Sequence, residues 1–274
     1  MLADTNNVQI HFERSNLKNP SLITVVFLHG FSGSSNDWQQ VINMLPVSIQ
    51  CCTIDLIGHG RSPSPEDVSL YSTNAVISQI NSVFIKLKLQ KVVLVGYSLG
   101  GRAALSFALK KPEIIKGLIL ESTTPGIIEE SLRTERKNSD DKLAELIERD
   151  GIEKFTDYWM SLPVFETQKK LPFEKLRQVR KDKLNNSSMG LANSLRGFGQ
   201  GVMPHLWNEL TNIYFDVLLI TGELDSKYTM LNSQMLSKIK NAEHKIISGA
   251  GHNIHLEKPE VFVSLLKDFI VKFS

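Results

Sequence analysis

The sequence predicts an α/β fold: a mostly parallel central sheet with helices on both faces, and a helical insertion above the strand ends. Three observations predict it. Short apolar, largely β-branched runs alternate with amphipathic helical segments, the pattern of a sheet buried on both faces. The run at 91–95 passes through Gly96-Tyr97-Ser98-Leu99-Gly100 straight into helix formers at 102–109. From residue 122 to about 204 nothing reads as a buried strand, and charged amphipathic segments follow one another. The chain therefore divides into a first core part (1–121), a helical cap insertion (122–204) and a second core part (205–274).

Residues 8–13 alternate so that Val8, Ile10 and Phe12 share one face of a half-exposed strand, and residues 16–21 turn the chain. The first fully buried strand is expected at 22–28, running into His29-Gly30-Phe31-Ser32-Gly33. A short helix at 36–45 is ended by Pro46, and a strand follows at 51–56. His59, in the breaker-rich turn after it, is expected to be a loop histidine bonded to the main chain. Val76, Ile80, Val83, Phe84 and Leu87 form one stripe of a helix over 72–89. A strand at 117–120 completes the first core part. The cap is expected to hold helices at 127–136, 142–149, 152–160, 173–184 and 189–198. Sheet patterning returns at 214–221 and 243–247, with helices at 228–240 and 259–273.

Ser98 stands at the apex of a strand-to-helix turn. The flanking glycines let strand and helix pass without a clash of β-carbons, and the serine hydroxyl is left at the end of the sheet beside a helix N-terminus. That is a nucleophile elbow. The loop after the first buried strand lies beside it, so the N–H groups of Phe31 and Leu99 are the candidate oxyanion donors. A serine hydroxyl needs an imidazole to take its proton, and the imidazole needs an anion to fix its tautomer. Asp225 follows one late strand and His252 the next, after Gly249-Ala250-Gly251. Glu223 is the alternative acid, less favoured because the longer turn brings Asp225 out over the sheet edge. His255 is expected to be a packed or solvated loop histidine.

A net charge of +2 gives no argument for nucleic acid or a membrane surface. No apolar run approaches the ~18 residues of a membrane span, so no membrane insertion is expected. The first eight residues are polar, without an apolar stretch of signal-peptide type. Cys51 and Cys52 are adjacent, and a disulfide between them would be badly strained. A cytoplasmic setting is expected. No Walker loop, zinc spacing or dinucleotide fingerprint is present, so neither metal nor cofactor is implied. The expected state is a monomer or weak homo-oligomer.

His29-Gly30, Gly96-Tyr97-Ser98-Leu99-Gly100-Gly101-Arg102, Asp225 and Gly251-His252 resemble the α/β-hydrolase superfamily over nearly the whole chain, in the order serine, acid, histidine. The finer pattern resembles the 2-succinyl-6-hydroxy-2,4-cyclohexadiene-1-carboxylate synthases, pyruvate-eliminating lyases of menaquinone biosynthesis. It is carried by Pro125-Gly126 with Arg133 and Arg136, Tyr158-Trp159 with Leu162-Pro163-Val164-Phe165, and the stretches 191–199 and 203–207. The resemblance implies a small polycarboxylate substrate. Arg102 lies one helical turn after Ser98, and guanidinium groups grip carboxylates through paired hydrogen bonds, so Arg102, Arg133 and Arg136 are candidate substrate contacts. Tyr97 and Trp159 are candidates for packing on the ring. For the family's further cap arginine the region 177–183 offers Arg180 and Lys183, with Arg180 the chosen candidate.

Overall fold

The computed structural model describes residues 1–5, 8–17, 19 and 22–273; the turn expected at 16–21 lies partly outside the described residues. β1 (Leu2–Thr5) pairs antiparallel with β2 (Val8–Ser15), which pairs antiparallel with β4 (Gln50–Ile54). β3 (Thr24–Leu28), β5 (Val92–Tyr97), β6 (Ile115–Glu121), β7 (Asp216–Gly222) and β8 (Ala242–Ile247) join β4 in a parallel array. The order across the sheet is β1-β2-β4-β3-β5-β6-β7-β8. The polar N-terminus gave no expectation of β1. Its residues qualify as a strand only through β2, against which Ala3 is fully buried.

The chain leaves β3 for β4 on one side and returns to β5 on the other. The carboxyl ends of β3 and β5 thus flank a switch point, where α/β sheets open a crevice for ligands. Within the parallel strands successive residues feed opposite cores. Val92 and Leu94 of β5 join one cluster, and Val93 and Val95 the other. Helices α1 (Gln39–Asn43) and α9 (Pro259–Val271) cover the second face with the short α8 (Ile254–Glu257). Helices α2 (Thr73–Lys86), α3 (Leu99–Lys110) and α7 (Ser226–Leu236) cover the first.

Between β6 and β7 the chain builds α4 (Glu130–Ser161), α5 (Phe173–Leu184) and α6 (Ser188–Phe198), a helical insertion with its own small core of Ala144, Ile147, Phe155, Leu191, Ala192 and Leu195. The three helices expected at 127–160 are one long α4, broken only at Gly151, whose φ of 82° leaves the helical region. Nothing between 136 and 142 stops a helix, since glycine and proline are both absent there. A 3₁₀ segment at Pro163–Lys170 links α4 to α5.

Candidate active site

β5 delivers Ser98 to the switch point in a strained conformation, φ 50° and ψ −106°. Two glycines make the turn feasible. A β-carbon on Gly96 would lie 2.4 Å from the Gly100 carbonyl oxygen, and one on Gly100 would lie 2.3 Å from that of Leu28. The Ser98 N–H is tied to the Glu121 carbonyl at 2.9 Å, which anchors the elbow to β6.

Ser98 Oγ lies 3.2 Å from His252 Nε2, and His252 Nδ1 lies 2.6 Å from Asp225 Oδ2. The acid and the imidazole are both buried. An ionised Asp225 makes Nδ1 the donor, which leaves the Nε2 lone pair to accept the serine proton. Glu223 turns the other way. Its carboxylate accepts Ser248 Oγ–H and the Gly249 N–H, which hold it below the usual carboxylate range and brace the loop leading to His252.

The loop after β3 is pinned by His29, whose Nδ1–H donates to the Gly30 carbonyl while Nε2 accepts the Leu56 N–H. Among the described residues the N–H groups of Phe31 and Leu99 have no acceptor, and both residues line the cavity beside Ser98. His59 donates Nδ1–H to the Ile57 carbonyl, and burial, with His29 alongside, pushes it down to about 3. It is the backbone-bonded loop histidine that the sequence suggested.

A cavity of about 350 Å³ opens between this relay and the cap, lined by Tyr97, Ser98, Leu99, Arg102, Arg136 and Trp159 among others. Arg102 is buried; burial and the neighbouring Arg136 lower it to about 10, so it is a cation at neutral pH. One Nη donates to the Phe198 carbonyl at 2.7 Å and lies 3.4 Å from Met203 Sδ. Arg136 donates to Asp140 from the same wall at 2.8 Å. Arg133 is half-buried on α4 and does not line the cavity. Arg180 is not part of it either. It stands at the cap surface bonded to Asp157 and Glu153, while Lys183, one turn on, reaches Ser32 Oγ at 3.0 Å.

Sequence reasoning missed three groups. Tyr228 packs its ring 4.6 Å from that of His252, and Lys227 also borders the cavity. His255 is packed, as one of its two readings had it, but on a helix and not in a loop, and its acid partner was not foreseen. It lies on α8, stacked on Trp38 at 4.1 Å, with Nδ1 2.7 Å from the fully buried carboxylate of Glu121. The signal was an acid ending the apolar run 117–120. A buried carboxylate demands a partner. Among the described residues no cluster of three or more His, Cys, Asp or Glu has a metal-binding arrangement, and no helix is long and apolar enough to cross a membrane.

Serine elbow, histidine and acid on the ends of a mostly parallel sheet, with two free N–H groups beside them, define a class. The profile of the alpha/beta hydrolase fold matches residues 23–259, and the chain belongs to the α/β-hydrolase family. Within it the chain is similar to the putative 2-succinyl-6-hydroxy-2,4-cyclohexadiene-1-carboxylate synthase of Bacillus subtilis (strain 168), 42% identical over 90% of this chain and 89% of that one. The synthase of that name from Enterobacter sp. (strain 638) is 31% identical over 92% and 93%. The solved structure of MenH from S. aureus superposes with a TM-score of 0.90 at 35% identity, covering 96% of this chain and 98% of that one.

Proposed function

We propose that this chain is a 2-succinyl-6-hydroxy-2,4-cyclohexadiene-1-carboxylate synthase, a lyase that eliminates pyruvate from 2-succinyl-5-enolpyruvyl-6-hydroxy-3-cyclohexene-1-carboxylate in menaquinone biosynthesis. The observation that carries the reading is the Ser98–His252–Asp225 chain of hydrogen bonds opening into a cavity whose buried cation is Arg102, one helical turn from the serine. A cavity for apolar esters has no use for a desolvated guanidinium. The similarity to the synthases supports the same substrate.

In this reading His252 takes the Ser98 proton and the serine oxygen removes a ring proton α to the succinyl carbonyl. The C–H electron pair moves into an enolate, whose oxygen accepts the N–H groups of Phe31 and Leu99; losing one such donor raises the barrier by about 3 kcal/mol. The enolate then collapses through the ring double bond. The ring carbon–oxygen bond to the enolpyruvyl group breaks, and that group leaves with the electron pair as the enolate of pyruvate. A proton returned through His252 balances the step, so no oxidant and no acyl-enzyme is required. Arg102 and Arg136 hold substrate carboxylates. Tyr97 and Trp159 wall the ring.

The test is to mix the purified protein with the enolpyruvyl substrate, without added metal or cofactor, and follow pyruvate. A short p-nitrophenyl ester is run in parallel. Rapid pyruvate release with negligible ester cleavage is the expected result; ester cleavage without pyruvate would make this a hydrolase of another substrate.

A further inference from the structure

The turn that carries the Phe31 N–H is held from above by the cap. Ser32, the next residue, has φ 60°, a left-handed conformation that a non-glycine residue adopts only when its surroundings impose it. Within the core the Gly30 carbonyl accepts the Gly33 N–H at 3.0 Å and His29 Nδ1–H at 2.7 Å, and the Phe31 ring stands edge-on to His59 at 5.7 Å; none of these contacts reaches Ser32 itself. The hydrogen bonds to Ser32 come from the insertion. Asn186, in the α5–α6 connection, donates Nδ2–H to the Ser32 carbonyl at 3.0 Å and to the Lys183 carbonyl at 3.0 Å. Its Oδ1 accepts the Gly60 N–H at 2.9 Å, so one buried amide clasps two core loops at once. Lys183 reaches Ser32 Oγ, and the Phe31 ring stands edge-on to Trp159 of α4 at 5.1 Å.

We propose that Asn186 is a positioning residue: through Ser32 it holds the left-handed turn that aims the Phe31 N–H, so that seating the cap and completing the oxyanion hole are one event. The inference rests on the reading of Phe31 as an oxyanion donor. Asn186 does not line the cavity beside Ser98, so its effect on the reaction passes through the loop and not through a substrate contact. A donor aimed in advance stabilises charge as it develops, whereas one that must be gathered during the reaction does not. Removing the clasp therefore weakens the transition state more than the ground state.

Asn186→Asp keeps the acceptor for Gly60 and turns the donor to Ser32 into a repelling oxygen. Pyruvate release is expected to fall about 10- to 100-fold in kcat with KM within about threefold of wild type, since the full loss of a donor is about 100- to 1,000-fold. The rate at which a fluorophosphonate modifies Ser98 is expected to fall by a similar factor; the buried carboxylate also lowers the thermal midpoint, so both rates are measured well below it, where the variant is folded. Ser32→Gly is the second variant, because glycine adopts the left-handed turn without help. Combined with Asn186→Asp it is expected to restore most of both rates. Unchanged kcat and labelling in Asn186→Asp, a rise in KM alone, or no recovery in the double variant would each overturn the proposal. Wild-type protein that labels at Ser98 yet releases no pyruvate would sink the substrate reading, and the labelling rates would still decide the clasp. Protein that does neither would sink both.

Discussion

Arg102 and Phe198 are joined twice: the guanidinium donates to the Phe198 carbonyl at 2.7 Å and lies 5.2 Å over the centre of its ring. The first residue belongs to the helix behind the serine and the second to the last turn of the cap, so the cap orients the cavity's buried cation. Arg102 also lines the cavity beside Ser98. Arg102→Ala is expected to lower kcat/KM for pyruvate release at least about 100-fold, the scale of a charge-assisted bidentate contact. The loss of one hydrogen bond to Phe198 should destabilise the fold by only about 1–2 kcal/mol. Arg102→Lys should recover little, because a point charge cannot replace the planar fork. Steady-state pyruvate assays beside urea melts separate these effects, and unchanged kinetics in Arg102→Ala would remove the carboxylate clamp.

Two acids two residues apart carry different loads. Asp225 meets His252 Nδ1, whereas Glu223 accepts Ser248 and Gly249. Asp225→Asn puts a neutral amide against the imidazole and disturbs its tautomer; kcat is expected to fall about 1,000- to 10,000-fold. Glu223→Gln keeps an acceptor for the loop and should stay within about threefold. The reverse ranking in the same pyruvate assay would mean that the acid has been misassigned.

That Ser98, His252 and Asp225 come within hydrogen-bond distance of one another was legible because their placement is written in local sequence. Glycines at 96 and 100 force the elbow, the acid follows the apolar run of β7, and the histidine follows the short β8 through the Gly249-Ala250-Gly251 turn. Arg180 was not legible. Whether a cap cation faces the cavity or pairs with Asp157 depends on how α5 packs on α4, which helical spacing alone leaves open. The Glu121–His255 pair joins residues 134 positions apart, beyond the reach of any periodicity. Asn186 has no motif at all, and its three partners are visible only once the cap is seated.

Acid should find a weakness at His59. Burial, with His29 beside it, lowers this histidine from 6.5 to about 3. The unfolded chain binds the proton below its ordinary pKa while the folded one refuses it. The stability of the neutral buried form is thus fully present above pH 6.5 and is lost as pH falls toward 3, at up to about 1.4 kcal/mol per pH unit. His59→Asn retains a side-chain donor for the Ile57 carbonyl and carries no titration. Urea unfolding from pH 7 to 4.5 should show a shallower decline for the variant; parallel curves would show that His59 is not the responsible group.

Glu121 is the fastening between the two halves of the relay. Its main-chain carbonyl holds the Ser98 N–H, and its carboxylate accepts the Ile254 N–H at 2.6 Å, the His255 N–H at 3.0 Å and His255 Nδ1 at 2.7 Å. Those acceptors fix the start of α8, two residues beyond His252. Glu121→Ala strips three buried donors of their partner and is expected to destabilise the protein by about 3–5 kcal/mol, the scale of breaking a buried pair from one side. It should also lower kcat, because His252 loses the anchor that follows it. Glu121→Gln keeps one oxygen for the two main-chain donors, so it should lose less stability and less activity than alanine. Urea melts and pyruvate assays on both variants test the ranking. An alanine variant within about 1 kcal/mol of wild type would mean that α8 is held in place by the packing of Trp38 and Phe262 instead.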